Sequence, residues 1–337
     1  RENKERSPIF NGQIQGVGPR YCPSIEDKAF RYPDRHTHHV FVEPEGLEID
    51  TFYPNGISTS LPRDVQEEFI RTIPGLESAE IAIYGYAVEY DVVDTLYMNQ
   101  TMESREVPGL YFAGQVCGTS GYEEAAGQGL IAGANAALSL LKKEPLILSR
   151  NKSYIGVMIE DLVTNERDEP YRLFTARSEN RLFIREDNSI PRLVEYRRSL
   201  GLNNDVDNTN TKFMEDFVNL QSLCDRTFFL PDKKNQELFQ DLNLGGLKEK
   251  ISLTEVLQRS QVDPVRALAS ILKRSEVFAK RSLVKAVAVT IKYRGYIERE
   301  DFENQAMNRL EDKAINFETI LENKNLSFEC KLRIEKV

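Results

Sequence analysis

Cys22 stands between Tyr21 and Pro23, with Ser24-Ile25-Glu26-Asp27-Lys28 following. Proline suits the first position of a helix, and acids in the first turn complement its dipole. The spacing therefore predicts a helix whose N-cap lies at or near Cys22. A thiol placed there, with Arg20 and Lys28 in reach, gains thiolate character and becomes a nucleophile. The same position equally suits a small buried hydrophobe, the ordinary role of a free cysteine. A second group of chemistry-bearing residues lies in YFAGQVCGTSGYEEAAGQGLIAGANAA, Tyr111 to Ala137. Leu110-Tyr111-Phe112-Ala113 reads as a short buried strand, Gly114 to Gly121 as a glycine-rich bend, and the remainder as a helix. Strand, bend and open helix start together suit an anion or the polar edge of a cofactor; packing of helix on sheet with no ligand accounts for the same pattern. Gln115 and the amides of Gly118 to Tyr122 are the contacts expected for such a group. Glu123 and Glu124 could orient it or move protons, although Ser120 and Glu123 also have capping-box spacing. Gly127, Gly129 and Gly133 each cost roughly 1 kcal/mol relative to Ala inside a helix, which predicts close packing against the backbone.

Arg177, Arg181 and Arg185 recur every four residues and share a face if that stretch is helical. Such a row suits phosphate, whose geometry the guanidinium fork matches; with Glu179 and Glu186 interleaved it equally describes a solvated, salt-bridged surface. Between Pro264 and Arg299 nine Lys/Arg face only Glu276 and Glu298, a local +7 in a chain of net charge −9. Lys280, Arg281 and Lys285 are the centre of that segment. An acidic protein with one concentrated basic segment can hold a phosphate backbone there. His36, His38 and His39 crowd together with no Cys or carboxylate grouping nearby and read as surface residues, so no metal site is expected.

The elements that must position these groups follow from pattern. His39 to Glu43 alternates as a strand, Pro44-Glu45-Gly46 turns, and Tyr53-Pro54-Asn55-Gly56 reads as a second turn. Arg63 to Ile73 reads as an amphipathic helix stopped by Pro74-Gly75, and Ala79 to Val93 as one or two alternating strands, with Tyr84, Tyr86 and Tyr90 on one face. Lys142-Lys143-Glu144-Pro145 closes the central helix. Helices are then expected at Tyr154 to Val163, Phe213 to Asp225 and Leu253 to Ser275, with a polar linker at Asn203 to Asn210. Ala286 to Tyr293 alternates like a strand, and only family context argues for a helix there. Beyond Asp301 the chain reads as charged and helical.

The 337 residues are enough for two domains with their own cores. With 40% hydrophobic and 29% charged residues, the composition is that of an ordinary soluble globular protein. The longest largely apolar run, Ile131 to Leu141, is about half of what a membrane span needs. Four scattered cysteines without a CxxC pair suit a reducing, cytoplasmic setting. No secretory signal is read in these residues.

The string GQVCGTSGYEEAAGQGLIAGANA resembles the second signature of the GidA/MnmG family, and GPRYCPSIEDKAFRY, Gly18 to Tyr32, resembles its first. The likeness continues through Glu169 to Asn188 and Lys292 to Glu300, and weakens between about Leu202 and Ala286. At Asn180 the family usually has an aromatic residue. The resemblance implies an α/β plus all-α fold: the C-terminal part of a Rossmann-like FAD domain with an α/β insertion, then a helical domain. It divides the chain into an insertion segment at 1–95 that contacts the nicotinamide dinucleotide, a closing FAD segment at 96–145, and a helical tRNA- and partner-binding domain at 146–337. It implies FAD contact by Gly114, Gln115, Gly118, Gly121, Tyr122, Glu123 and Glu124. Contact with NADH falls to Gly18, Pro19, Arg20, Tyr21, Cys22, Pro23, Ser24, Ile25, Glu26, Asp27, Lys28, Ala29, Phe30, Arg31 and Tyr32, and Cys22 becomes the functional thiol. The implied activity is addition of a carboxymethylaminomethyl or aminomethyl group to C5 of the tRNA wobble uridine, with methylene-tetrahydrofolate as one-carbon donor, an MnmE-type GTPase as partner, and a homodimer as the assembly. A folate- and FAD-dependent tRNA uridine-5-methyltransferase and a non-catalytic tRNA- or partner-binding module are the alternatives. The dinucleotide fingerprint GxGxxG is not found: after Gly16-Val17-Gly18, Tyr21 stands where the third glycine belongs. The chain is therefore expected to be a fragment that does not hold FAD alone.

Overall fold

A computed structural model describes residues 2–14, 23–87, 89–167, 169–201, 205–311, 326–327 and 331. The chain forms two compact units, residues 1–179 and 180–337. The first mixes helices with a hairpin and long irregular segments; the second is built mainly of helices.

In the first unit helix α1, Ile25–Arg31, is capped by Ser24, whose hydroxyl accepts from the Asp27 amide. Helix α1 lies on the loop that follows a hairpin of β1, Phe41–Pro44, and β2, Phe52–Asn55, paired antiparallel with Phe41 opposite Asn55. Tyr53-Pro54-Asn55 is thus strand rather than turn. Only Gly56 leaves the extended region, at φ +100°, and a Cβ there would meet the His39 carbonyl oxygen at 2.5 Å. The expected amphipathic helix is α2, Arg63–Arg71, and Gly75 follows at φ +91°.

The described residues of 79–93 do not form the expected strands. The buried Gln66 side chain takes the peptide groups that a ladder would use: its amide donates to Gly85 O at 2.9 Å, and its oxygen accepts from Gly85 N at 2.8 Å. Tyr84 donates to Glu67, whereas Tyr86 and Tyr90 are exposed, so the three tyrosines share no sheet face. Leu110 to Ala113 is likewise no buried strand. Tyr111 makes one isolated bridge to Glu103, and Leu110 is exposed.

Helix α3, Tyr122–Leu140, packs on α4, Tyr154–Thr164. Close approach to the α3 backbone occurs at Gly127, where a Cβ would stand 3.2 Å from Met158 and 3.3 Å from Ile155. At Gly129 and Gly133 it would meet nothing within 4 Å, so the expected packing is absent at those two positions.

The second unit holds α5, Ser189–Ser199; α6, Asp205–Arg226; β3, Phe228–Phe229; α7, Lys233–Asp241; β4, Ile251–Ser252; α8, Leu253–Gln258; α9, Pro264–Arg274; and α10, Arg281–Glu311. Asp205 to Asn210 forms the first turns of α6, not a linker. Ala286 to Tyr293 is helical and lies within α10, which packs on α6, α8 and α9. One hydrophobic core runs from Phe217 to Ile291 and draws on all four of these helices.

Candidate functional site

The bend at 114–121 is built by its own glycines and closed by one buried side chain. Gly114 has φ +86° and Gly118 is left-handed at φ +71°, with a single 3₁₀ turn, Gln115–Cys117, between them. Gln128, fully buried on α3, reaches back to both ends of the loop. Its oxygen accepts from Gly114 N at 2.7 Å, and its amide donates to Thr119 Oγ1 at 3.1 Å; that hydroxyl donates to Gly114 O at 3.1 Å. On the far side the Tyr171 amide donates to Gly118 O at 2.8 Å. The bend is therefore pinned from two directions by the protein's own hydrogen bonds.

Glu124 is the side chain this arrangement buries, at 3% exposure. One carboxylate oxygen accepts from the Leu173 amide at 2.8 Å and lies 3.4 Å from Arg172 Nε. The other oxygen, Oε2, is buried without a partner, as is the Ser120 hydroxyl. The expected Ser120–Glu123 capping box is not formed: Gly121 is the N-cap of α3 and offers no side-chain acceptor to the first amides. Gly121 is needed for a separate reason, since a Cβ there would overlap Glu124 Oε2 at 1.7 Å. Tyr122 is 94% exposed and Glu123 is also exposed. Two buried orphan oxygens beneath an uncapped helix start form a cradle for a polar group that brings its own donors. Cys117 is fully buried, and burial pushes its thiol up to about 11, against a smaller opposing pull from Arg167.

The first motif falls partly outside the described residues, where Gly18, Pro19, Arg20, Tyr21 and Cys22 lie. Its remainder, Pro23 to Tyr32, is held on the loop after β2. The Ile25 amide donates to Ser58 O at 2.7 Å, and Lys28 Nζ donates to Gly56 O at 2.8 Å. Glu26 is buried, with Oε1 accepting from the Ser60 amide and hydroxyl, both at 2.8 Å, and Oε2 unpartnered. Arg31 pairs with Asp27, while Phe30 and Tyr32 are exposed. Helix α1 begins at Ile25, so Ser24 and not Cys22 caps it.

The three arginines spaced by four do not form a row. Arg177 ends a short 3₁₀ turn in the first unit, stacks over the Tyr171 ring at 4.4 Å and lies 3.8 Å from Asp161. Arg185, in the second unit, is consumed by Asp187, Leu182 O and Thr290. Arg181 is exposed, and its side chain makes no hydrogen bond or ion pair with the described residues. Phosphate geometry and carboxylate geometry suit the same fork, and here protein acceptors occupy two of the three.

The basic segment behaves differently. Lys292 donates to Arg259 O and Val262 O, Arg294 pairs with Asp225 at 3.1 Å, and Arg274 with Asp241 at 3.4 Å. Lys280, Arg281 and Lys285 are exposed, and their side chains make no ion pair or hydrogen bond with the described residues. Sequence reasoning missed the ion-pair node of the first unit. There Arg150 joins Glu160, Asp161 and Glu179, Tyr171 donates to Asp161 at 3.0 Å, and Arg167 keeps one buried nitrogen unpartnered. No spacing rule links residues so far apart in the chain, and only the family-like stretch at Glu169 to Asn188 pointed near it. Among the described residues no group of His, Cys, Asp and Glu could hold a metal, and no helix is long and apolar enough to cross a membrane.

Residues 1–144 match the family described as glucose inhibited division protein A, and residues 209–301 match the C-terminal helical domain of the tRNA modifying enzyme MnmG/GidA. The chain belongs to the GidA/MnmG family. The tRNA uridine 5-carboxymethylaminomethyl modification enzyme MnmG of Nitratiruptor sp. is 45% identical to it over 311 residues, which are 91% of this chain and 49% of that protein. The protein of the same name from Pediococcus pentosaceus is 43% identical, over all of this chain and 53% of its own length. Among solved structures, Aquifex aeolicus GidA aligns with TM-score 0.70 and 37% identity, over 99% of this chain and 53% of that one. The chain thus spans about half the length of the relatives it matches. Like them it combines mixed α/β content with a helical C-terminal domain.

Proposed function

We propose that these residues belong to a tRNA-modifying flavoenzyme that places a carboxymethylaminomethyl or aminomethyl group on C5 of the wobble uridine. The observation that carries the reading is the pinned bend whose buried Ser120 hydroxyl and Glu124 Oε2 lack partners beneath the uncapped start of α3. FAD fits that donor set, with Gly114, Gln115, Gly118, Gly121 and Tyr122 supplying backbone and Glu123 and Glu124 supplying carboxylates to its polar edge. When bound, the flavin supplies electrons for the one-carbon unit from methylene-tetrahydrofolate and is itself reduced by NADH. Protein side chains position and protonate. The stretch Gly18 to Tyr32 is proposed to contact the nicotinamide dinucleotide. Cys22 is proposed as the reactive thiol, either adding to C6 of uracil so that C5 becomes nucleophilic, and leaving when C5 loses its proton, or assisting proton transfer. Lys280, Arg281 and Lys285 are proposed to hold tRNA phosphates, with Arg181 as a further candidate. An MnmE-type GTPase and a homodimer complete the reading.

The test uses a protein that contains these residues at the length of its relatives, supplied with FAD, NADH, methylene-tetrahydrofolate, the GTPase and a tRNA bearing an unmodified wobble uridine. Mass spectrometry of the digested tRNA should show the C5 adduct. Absence of any adduct with all components present would overturn the reading. Gly121→Ala should displace the Glu124 carboxylate and reduce the flavin absorbance of the purified protein, whereas the 337 residues alone should retain none. Replacing Lys280, Arg281 and Lys285 together with Ala should flatten the slope of log tRNA affinity against log salt by about two to three units.

A further inference from the structure

The turn between α9 and α10 exposes an aromatic ring that the fold does not use. Helix α9 ends at Arg274, and Glu276 adopts a left-handed φ of +57°. The Val277 amide then reaches back to Leu272 O at 3.0 Å, the long hydrogen bond of a Schellman-type helix end. That bond fixes the turn, and Phe278 stands out from it at 93% exposure. A single exposed apolar side chain is ordinary, but the surroundings of this one are not. Residues 273–285 carry five cations, Lys273, Arg274, Lys280, Arg281 and Lys285, against the one acid Glu276. Arg274 has Asp241; Lys273, Lys280, Arg281 and Lys285 are exposed, and their side chains make no ion pair or hydrogen bond with the described residues. Moreover, Lys280, Arg281 and Lys285 sit at the start of α10, whose first turn holds no acid, so their charges run against the helix dipole. The fold loses by this arrangement, and a polyanion gains.

We infer that Phe278 is a stacking residue for an unpaired base of the bound RNA, set beside phosphates held by Lys280, Arg281 and Lys285. The inference rests on the tRNA reading above and goes beyond it, because phosphate contacts position an RNA without distinguishing a duplex from a loop. Paired bases in an A-form helix offer no free face, whereas splayed loop bases stack readily on aromatic rings. Phe278 would therefore direct the basic tip to single-stranded RNA, the state of an anticodon loop. A protein partner could also cover a ring and its cations; four cations whose side chains lack partners among the described residues, all within seven positions of Phe278, favour a phosphate chain.

The chain contains no tryptophan, which gives the test a direct reporter. Phe278→Trp should keep affinity for an anticodon stem-loop, and the new emission should be quenched on binding it but not on binding a blunt RNA duplex. Phe278→Ala should weaken stem-loop binding about fivefold or more, the cost of one stacked base, with the salt slope unchanged and duplex binding untouched. Equal loss on stem-loop and duplex, unchanged stem-loop affinity for Phe278→Ala, or absence of quenching would each overturn the stacking role. Loss of GTPase pull-down by Phe278→Ala with RNA binding intact would overturn it in favour of a protein contact. The Lys280/Arg281/Lys285 triple replacement separates the two levels. If it leaves the salt slope unchanged, the phosphate reading of this segment fails; if it flattens the slope while Phe278→Ala has no effect, only the stacking inference fails.

Discussion

At the scale of single residues, the cysteines separate by environment. Cys117 and Cys224 are fully buried, and burial raises their thiols to about 11 and about 12 from an ordinary value of 9. At pH 8 an alkylating reagent should leave both unmodified in the folded protein. Cys22, which lies outside the described residues, is expected to react first and at the lowest pH across a titration read by mass spectrometry. Labelling of Cys117 ahead of Cys22 would remove the grounds for assigning Cys22 the reactive role. The same shifts carry a stability consequence. Raised thiol values favour the protonated native state, so the contribution is complete below about pH 9 and is lost as pH climbs through 11 and 12. Cys117→Ala should accordingly flatten part of the alkaline limb of a stability curve, as read by urea midpoints at pH 8 and pH 10.

At the scale of elements, α3 offers a contrast within one helix. Gly127 faces Met158 and Ile155 of α4, whereas Gly129 and Gly133 face open space. Gly129→Ala and Gly133→Ala should each stabilise this chain, by up to about 1 kcal/mol. At Gly127 the neighbours are flexible side-chain ends, so Ala should gain less. Gly156 in α4 is the severe case, because a Cβ would stand 2.4 Å from Leu148 O and 2.5 Å from Ser149 O, both backbone atoms. Gly156→Ala should therefore lower the melting temperature markedly; a melt unchanged from the parent would show that the 148–149 segment yields freely. These comparisons also show what the sequence could reveal. Helices α2 and α4 were legible from their pattern, whereas Leu253 to Ser275, expected as one helical stretch, is broken between α8 and α9, where Asp263 caps a new helix with Pro264 in its first turn. The Ala286 to Tyr293 segment was ambiguous because α10 is buried on several sides at once, with Leu283, Val284, Ala286, Val287, Ala288 and Ile291 all in the core, which blurs the period. Residues 79–93 alternated like strands, yet at Gly85 the Gln66 side chain, from α2, took both backbone groups instead. At the bend, Ser120 and Glu123 had capping-box spacing, but spacing gave no sign that Glu124 would turn inward to the Leu173 amide. Contacts between residues about fifty positions apart leave no local mark. The spacing of Arg177 and Arg185 left phosphate and salt-bridge readings open for the same reason, their acceptors being chosen by tertiary structure.

At the scale of the whole molecule, residues 180–337 carry a core of their own. Its buried members run from Phe217 to Ile291, include Leu257, Leu268, Val287 and Ile291 at no measurable exposure, and none comes from the first unit. A continuous core of this kind is what an independently folding domain needs. Residues 180–337 expressed alone should give a helical circular dichroism spectrum and a cooperative melt, and Leu268→Ala should destabilise them by about 2–5 kcal/mol. A broad, non-cooperative melt would mean that the core depends on the first unit. The same piece carries Phe278, Lys280, Arg281 and Lys285, whereas the bend, Glu124 and the first motif lie in residues 1–179. Holding RNA and holding a cofactor are therefore proposed to reside in separable parts of the chain. Salt-dependent binding of the anticodon stem-loop should travel with residues 180–337, and residues 1–179 should show little. Acidic net charge in the whole chain does not oppose this, because at about 0.15 M salt charges farther than roughly 8 Å from a phosphate are largely screened, and the local cluster governs. If the isolated second unit folds cooperatively yet binds no RNA while the whole chain does, the decisive phosphate contacts lie elsewhere, and the assignment of the basic segment falls with that result.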